Sequence, residues 1–449
     1  FAFRTSRLPE AKDIRAPADE FSAGRALEDL RVMAVSPHPL GSAENIRVHD
    51  YIVRRLRSMG VETRLQNTVS SRSYFPGITV SGIVRNIAAR LPSRSAAPHH
   101  GSVVFVCHFD SVFHAPGAGD NGASCASFLE TIRILHEKPP AEARNELIFL
   151  FSDGEESGLL GAAAFMRSIL RERPAYILDF EARGNQGPSA LFETTRGAGG
   201  LVRLYGRENP HPYGSSLSGA LYSFLPNDTD FTVFRKAGYE GLNFAFFHGL
   251  SDYHTMRDSA ENISPQTIQH HGENVYFLAR ALLSADLNAL EKDEAVYFSA
   301  FGSFFAYSSQ SARLFAVLTI LSLFLILAFA YSRRLVSGVD TVGAIAQIVF
   351  YVLLSAAAVF LLLKGSAFLS LRMRGNEPYG ASYIRIAVVL LCAAFLFGFR
   401  NLSARRERSG AVSSQFAAGL ILWGLFLVVV AFALPGASDF FQRPLFFAL

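Results

Sequence analysis

The sequence predicts an α/β fold, a mostly parallel (mixed) sheet between helices, followed by a multispanning α-helical membrane region. Three observations carry the prediction. Apolar, β-branched segments alternate with helical patterns between residues 103 and 182; such alternation builds a largely parallel sheet covered on both faces. Acids and imidazoles gather at the ends of those strands, where ligands of such sheets bind. After Arg313 the text becomes long apolar runs of bilayer-spanning length.

The first elements are helices. "FSAGRALEDLRVMAV" and "SAENIRVHDYIVRRLRSMG" place apolar residues at three- and four-residue spacing, the second opened by Ser42 as a cap and closed by Gly60. "VSGIVRNIAARL" and "GSVVFVCHF" follow as strands. Then come a strand over 103–109, a helix over about 122–136, a strand over 146–153, a helix over 158–170 and a strand over 175–182.

Half of the 449 residues are hydrophobic, and the excess sits in four runs: 314–331, 342–363, 386–399 and 416–434. Three of these are near or above 18 residues without an internal charge, so they read as spans rather than core helices. The third is short and needs Tyr383, Ile384 and a snorkelling Arg385 to reach across. Phe1 in place of methionine and the apolar ending "FFQRPLFFAL" give both ends the look of cuts. Arg333 and Arg334 after the first run, and Arg400, Arg405, Arg406 and Arg408 after the third, outweigh Lys364, Arg372, Arg374 and Arg385 slightly. That bias puts the non-spanning part outside the cytoplasm, on a periplasmic or lumenal side.

A net charge of +4 without a basic, aromatic-interleaved stripe argues against nucleic acid as a partner. Three cysteines, one of them Cys392 in a span, cannot make a disulfide framework.

"GAGDNG" at 117–122 matches the pattern of a dinucleotide-phosphate loop. Asp120 inside it would repel a phosphate, and Pro116 and seven other residues intervene after Phe109, so the loop is not the tight strand-to-helix turn a phosphate needs. A loop that holds cations fits better. His108 and Asp110 end the first strand, Asp120 follows it, Glu155 and Glu156 lie beyond the second, Glu181 ends the third, and His254 sits in a later loop. Each acid alone reads as a helix cap; together they need a common cause.

Imidazole nitrogen and carboxylate oxygen suit Zn²⁺. His108, Asp120, Glu156, Glu181 and His254 are too many for one open tetrahedral site and fit two zinc ions sharing a carboxylate, for which Asp120 is the natural bridge. Two zincs bring four positive charges and three carboxylates remove three, which favours a water ionised between them. Asp110 reads as the carboxylate that orients the His108 ring. Of the neighbours Glu155 and Glu156, one binds metal and the other takes a proton from that water.

The stretches "HFDSV", "GAGDNGAS", "FSDGEESGLLGA", "FEARGNQGP" and "YHTMRDSAENIS" together resemble the successive motifs of aminopeptidase-Y-type zinc metallopeptidases, in their multispanning membrane branch. The resemblance covers about residues 25–300. It implies that His108 and Glu181 hold one zinc, Glu156 and His254 the other, and Asp120 bridges them. It also implies Glu155 as general base, Tyr253 as a stabiliser of the oxyanion, and peptides as substrates. "LPNDTDFTVF" resembles a substrate-side stretch in which serine usually stands where this chain has Asn227; Glu181 in place of aspartate matches the membrane branch.

The organisation expected is therefore a zinc peptidase domain over 1–295, an aromatic juxtamembrane linker over 296–312, and a membrane region over 313–449 with about four spans. The activity expected is that of a membrane-anchored aminopeptidase. Two other readings stay open: a non-catalytic receptor or scaffold on the same fold, marked by eroded ligands, and a transport protein with an accessory peptidase domain, marked by polar groups at bilayer depth such as Gln347. The remaining histidines, among them His211, His270 and His271, read as surface or packing residues.

Overall fold

The structure, a computed structural model, describes residues 8–75, 77–94, 101–168, 175–225, 227–368 and 411–448. The chain divides into two compact units, 1–309 and 310–449.

In the first unit the helices α1 (Ala23–Met33) and α2 (Ala43–Ser58) start where the sequence placed caps: the Ser22 and Ser42 hydroxyls accept from the backbone N–H of Arg25 and Asn45. Gly60, at φ +75°, turns the chain out of α2. A seven-stranded sheet follows, with β1 (Glu62–Phe75), β2 (Ile78–Leu91), β3 (Ser102–His108), β4 (Glu146–Ser152), β5 (Tyr176–Ala182), β6 (Ala190–Thr194) and β7 (Gly241–Phe246) in the order β1-β2-β4-β3-β5-β7-β6. The four central strands β4, β3, β5 and β7 run parallel, and the outer strands pair antiparallel. The mixed, mostly parallel sheet expected from the alternation is thus what forms.

β3 and β5 are buried along their whole length because helices cover both faces. On one face Phe149, Phe105, Phe180 and Phe244, from four adjacent strands, form a stacked ladder with ring centroids 4.9, 6.0 and 4.9 Å apart. Phe128 of α3 (Ala123–Glu137) meets this ladder edge-on, and each such aromatic pair adds about 0.5–1.5 kcal/mol beyond the area it buries. On the other face Val104, Val106, Leu150 and Ile177 pack against α4 (Leu160–Ser168) and α7 (Asp230–Lys236), through Phe165, Phe231 and Phe234. Helices α5 (Gly199–Glu208), α6 (Ser216–Tyr222) and α8 (Pro265–Ser284) complete the layers.

The stretch 296–312, expected as an aromatic linker, differs from that expectation. Most of it is an antiparallel hairpin, Ala295–Ala300 with Ser303–Ser308, inside the first unit. Tyr297 is fully buried, and Phe304 meets the Tyr205 ring edge-on at 5.5 Å. Alternation along a strand, with one face packed, explains why only part of the aromatic cluster stays exposed, Phe301 and Phe305 among it.

The helices Ser309–Ser332, Gly338–Phe368 and Ala411–Ala433 contain three segments long and apolar enough to cross a membrane. They contain the first, second and, but for its last residue, fourth expected runs. The third, 386–399, lies outside the described residues, as do Cys392 and the arginines that flank that run.

Candidate metal centre

The centre forms where β3, β4 and β5 end. β3 delivers His108, whose Nδ1 donates to the backbone carbonyl of Asp110 at 3.0 Å, which aims Nε2 at the cavity. The Asp110 carboxylate lies farther from the ring, 3.5 Å from Nδ1. Its stronger contacts are elsewhere: it accepts from the backbone N–H groups of Glu155 and Glu156 at 3.0 and 3.2 Å. Asp110 therefore fixes the turn that carries both glutamates as well as neighbouring the imidazole. Asp153 steadies the same turn from the other side, accepting from Asn45 Nδ2 and the Arg85 N–H.

The glycine-rich turn is held by a carboxylate that the sequence reading passed over. Asp258 accepts from the N–H of Gly119 at 2.6 Å and of Asp120 at 3.2 Å, and its own carbonyl accepts from Ala118. The N–H groups that a phosphate would need are thus satisfied by an acid, which removes the nucleotide reading on geometric grounds. A Cβ on Gly119 would collide with the Gly184 carbonyl oxygen, so glycine is required for this close approach. Asn121 donates to the Phe180 carbonyl and to Glu181 Oε2, tying the turn to β5. Asp258 had little signal in the sequence beyond lying four residues after His254.

Asp120 faces two ways. Its Oδ1 is 3.2 Å from His108 Nε2 and its Oδ2 is 3.1 Å from His254 Nε2. His254 also reaches Glu156 Oε1 at 3.0 Å, and His108 lies 3.6 Å from Glu181 Oε2. Donor atoms of His108, Asp120 and Glu181 all fall within 4.8 Å of one another, as do those of Asp120, Glu156 and His254; His108, Glu155 and Glu156 form a third such group. The Tyr253 ring stacks on His254 at 3.8 Å, and the Arg183 guanidinium lies 5.4 Å from its centre. All eight residues singled out in the sequence are therefore gathered at one edge of the sheet.

Charge in this cluster is balanced only by protons. Burial disfavours the charged His108 imidazole, yet the acids around it, Glu181 foremost, outweigh that and raise its pKa well above the ordinary value. His254, likewise opposed by burial, is carried up to about 10 by its contacts with Asp120 and Glu156. Burial pushes Glu155 well up, Glu156 up to about 7, and Glu181 up. Asp120 resists burial and stays low because both imidazoles hydrogen-bond to it. Glu181 Oε1 is buried with no hydrogen-bond partner among the described residues. Crowded acids, two convergent imidazoles and an unpartnered buried carboxylate oxygen fit divalent cations better than protons, and the N/O donor set suits zinc.

Residues 86–279 match the model of Peptidase family M28. Among curated proteins, the chain is 28% identical over 335 residues to Endoplasmic reticulum metallopeptidase 1 of Homo sapiens, across 69% of this chain and 36% of that protein. It is 34% identical over 238 residues to Putative endoplasmic reticulum metallopeptidase 1 of Schizosaccharomyces pombe, across 51% of this chain and 28% of that one. It is 30% identical over 303 residues to Vacuolar membrane protease of Candida albicans, across 65% and 34%. The chain thus spans about a third of the length of these relatives. Among solved structures, Aminopeptidase from Aneurinibacillus sp. strain AM-1 aligns with a TM-score of 0.47 and 13% identity, over 62% of this chain and 96% of that one.

Proposed function

We propose that this chain, which carries a peptidase family M28 domain, is a membrane-anchored zinc aminopeptidase that uses two zinc ions. The observation that carries the proposal is Asp120, whose two oxygens face two separate imidazole–carboxylate groups. His108, Glu181 and Asp120 would hold one ion, and Glu156, His254 and Asp120 the other. Both sets are complete without Glu155, which leaves that side chain for proton transfer. When bound, the zinc ions supply Lewis acidity to the scissile carbonyl and to the attacking water.

The chain's own groups do the rest. Glu155, its pKa raised by burial, takes the proton of the attacking water and returns it to the leaving amine. Tyr253, held flat against His254, presents its hydroxyl to the charge that develops on the carbonyl oxygen. Asp110 positions the backbone of Glu155 and Glu156 through its two accepted hydrogen bonds. The acids at the cavity edge favour a cationic α-amine, which supports removal of an N-terminal residue rather than internal cleavage.

Digestion of free-amine and acetylated peptides by the full chain with zinc tests the reading. Free-amine peptides should lose one residue at a time and acetylated ones should resist. Glu155→Gln should keep its zinc and lose roughly 10²–10⁴-fold in turnover; near-native activity in that variant would remove Glu155 from the base role.

A further inference from the structure

We infer that the cavity beside the metal centre is built to accept a large apolar, preferably aromatic, N-terminal side chain, an inference that rests on the aminopeptidase reading above. The cavity measures about 410 Å³ and has two chemically distinct walls. One carries Asp120, Glu155, Glu156, Glu181 and His254. The other is made by Phe192, Tyr222, Leu225, Ala245, Phe247 and Leu250.

That second wall is a constructed surface. Phe192, on β6, is almost fully buried and receives the Tyr222 and Phe247 rings edge-to-face, at centroid distances of 5.1 and 5.3 Å. These contacts fix three rings in one arrangement at low entropic cost. Phe247 and Leu225 nevertheless remain 38% and 54% exposed, which leaves apolar area uncovered inside a concave site, the usual mark of a ligand surface. Ala245, the small residue of β7 on this wall, leaves space where a larger side chain would fill the cavity.

Geometry then sorts the substrate. A peptide whose α-amine meets the acids must turn its first side chain away from them, and the aromatic wall is the neutral surface across the cavity. Phenylalanine or leucine buries its side chain there; glycine and alanine leave the wall wet. Aspartate or glutamate meets the acids that line the rest of the site and is repelled. Asp228, which also lines the cavity and faces Lys236 at 3.9 Å, is the one feature that could instead draw a basic side chain.

The test is kcat/KM for a set of X-Ala-Ala peptides differing only in X, measured with the full chain in detergent and zinc. Phe and Leu should exceed Ala and Gly by roughly 10–100-fold, the scale set by one hydrophobic pocket. Phe247→Ala should cut the Phe-to-Ala ratio about tenfold. Leu225→Lys, at an exposed position that tolerates charge, should raise the Glu-to-Phe ratio by about tenfold. A wild-type Phe-to-Ala ratio near one, a preference for Lys or Arg, or ratios that neither variant moves would overturn the subsite while leaving the aminopeptidase reading standing. Failure to release a residue from any free-amine peptide would instead strike the aminopeptidase reading itself.

Discussion

Two pairs of histidines in the first unit show what their neighbours do to identical side chains. His108 and His254 point at carboxylates, and their pKa values are driven up, His254 to about 10. His270 and His271, on α8, are buried with hydroxyl and backbone partners: His271 lies between Ser124 and Ser189 at 2.8 Å each, and His270 accepts from the Ser189 N–H. Burial without a balancing acid drives these two down, to about 4 and about 3. The first pair belongs to a cluster that calls for cations. The second is a neutral brace between the helical layer and the sheet, closed on itself by satisfied hydrogen bonds.

The contrast is sharpest in a pair of deletions. His254→Ala should remove one zinc and lower peptidase activity by at least about 10³-fold, since it takes a ligand from a working metal site. His271→Ala should keep full zinc content and lose stability instead, by about 1–3 kcal/mol, because the Ser124 and Ser189 hydroxyls are left unpaired in the core. The temperature at which the buried Cys107 and Cys125 become open to thiol reagents reads that loss. A loss of zinc from His271→Ala would erase the distinction.

How far this was readable beforehand follows from the physics of each residue. His108, Asp120, Glu155, Glu156 and Glu181 were legible because β3, β4 and β5 are buried apolar strands whose ends the sequence marks clearly. β1 was not: it is long, polar and largely exposed, without the apolar alternation that betrays a half-buried strand. Asp258 was missed because a carboxylate serving backbone N–H groups has no periodicity to find. The wall of Phe192, Tyr222 and Phe247 was hidden for another reason: its members come from separate elements, and in sequence an aromatic residue bound for a cavity looks like one bound for the core. The brace was read as ordinary histidines, which fits its role but not its burial.

Smaller effects refine the comparison. Asp110→Asn should leave both zinc ions bound but 10–100-fold more weakly, the range for groups that orient ligands; competition with a chelator of known affinity measures it. Unchanged affinity would confine Asp110 to holding the Glu155–Glu156 turn.

Acid gives the gentlest probe. His270 and His271 are neutral in the folded chain, whereas unfolded they titrate near 6.5, so the unfolded state takes up protons first. Their contribution is intact above pH 6.5 and is lost as pH falls toward 4, by up to about 1.4 kcal/mol per pH unit for each histidine. Thiol-exposure temperatures recorded between pH 7 and 5 should fall less steeply in His271→Ala than in the wild type. Parallel slopes would mean that His271 is not a buried neutral group.

The central claim is that one carboxylate serves two metal ions. Zinc content per chain, measured by elemental analysis on the full chain and on Asp120→Ala at equal free zinc, tests it most directly. The account predicts two zincs in the wild type and a fall toward none in the variant, since both sites lose a ligand at once. One zinc per wild-type chain, or two retained by Asp120→Ala, would contradict it.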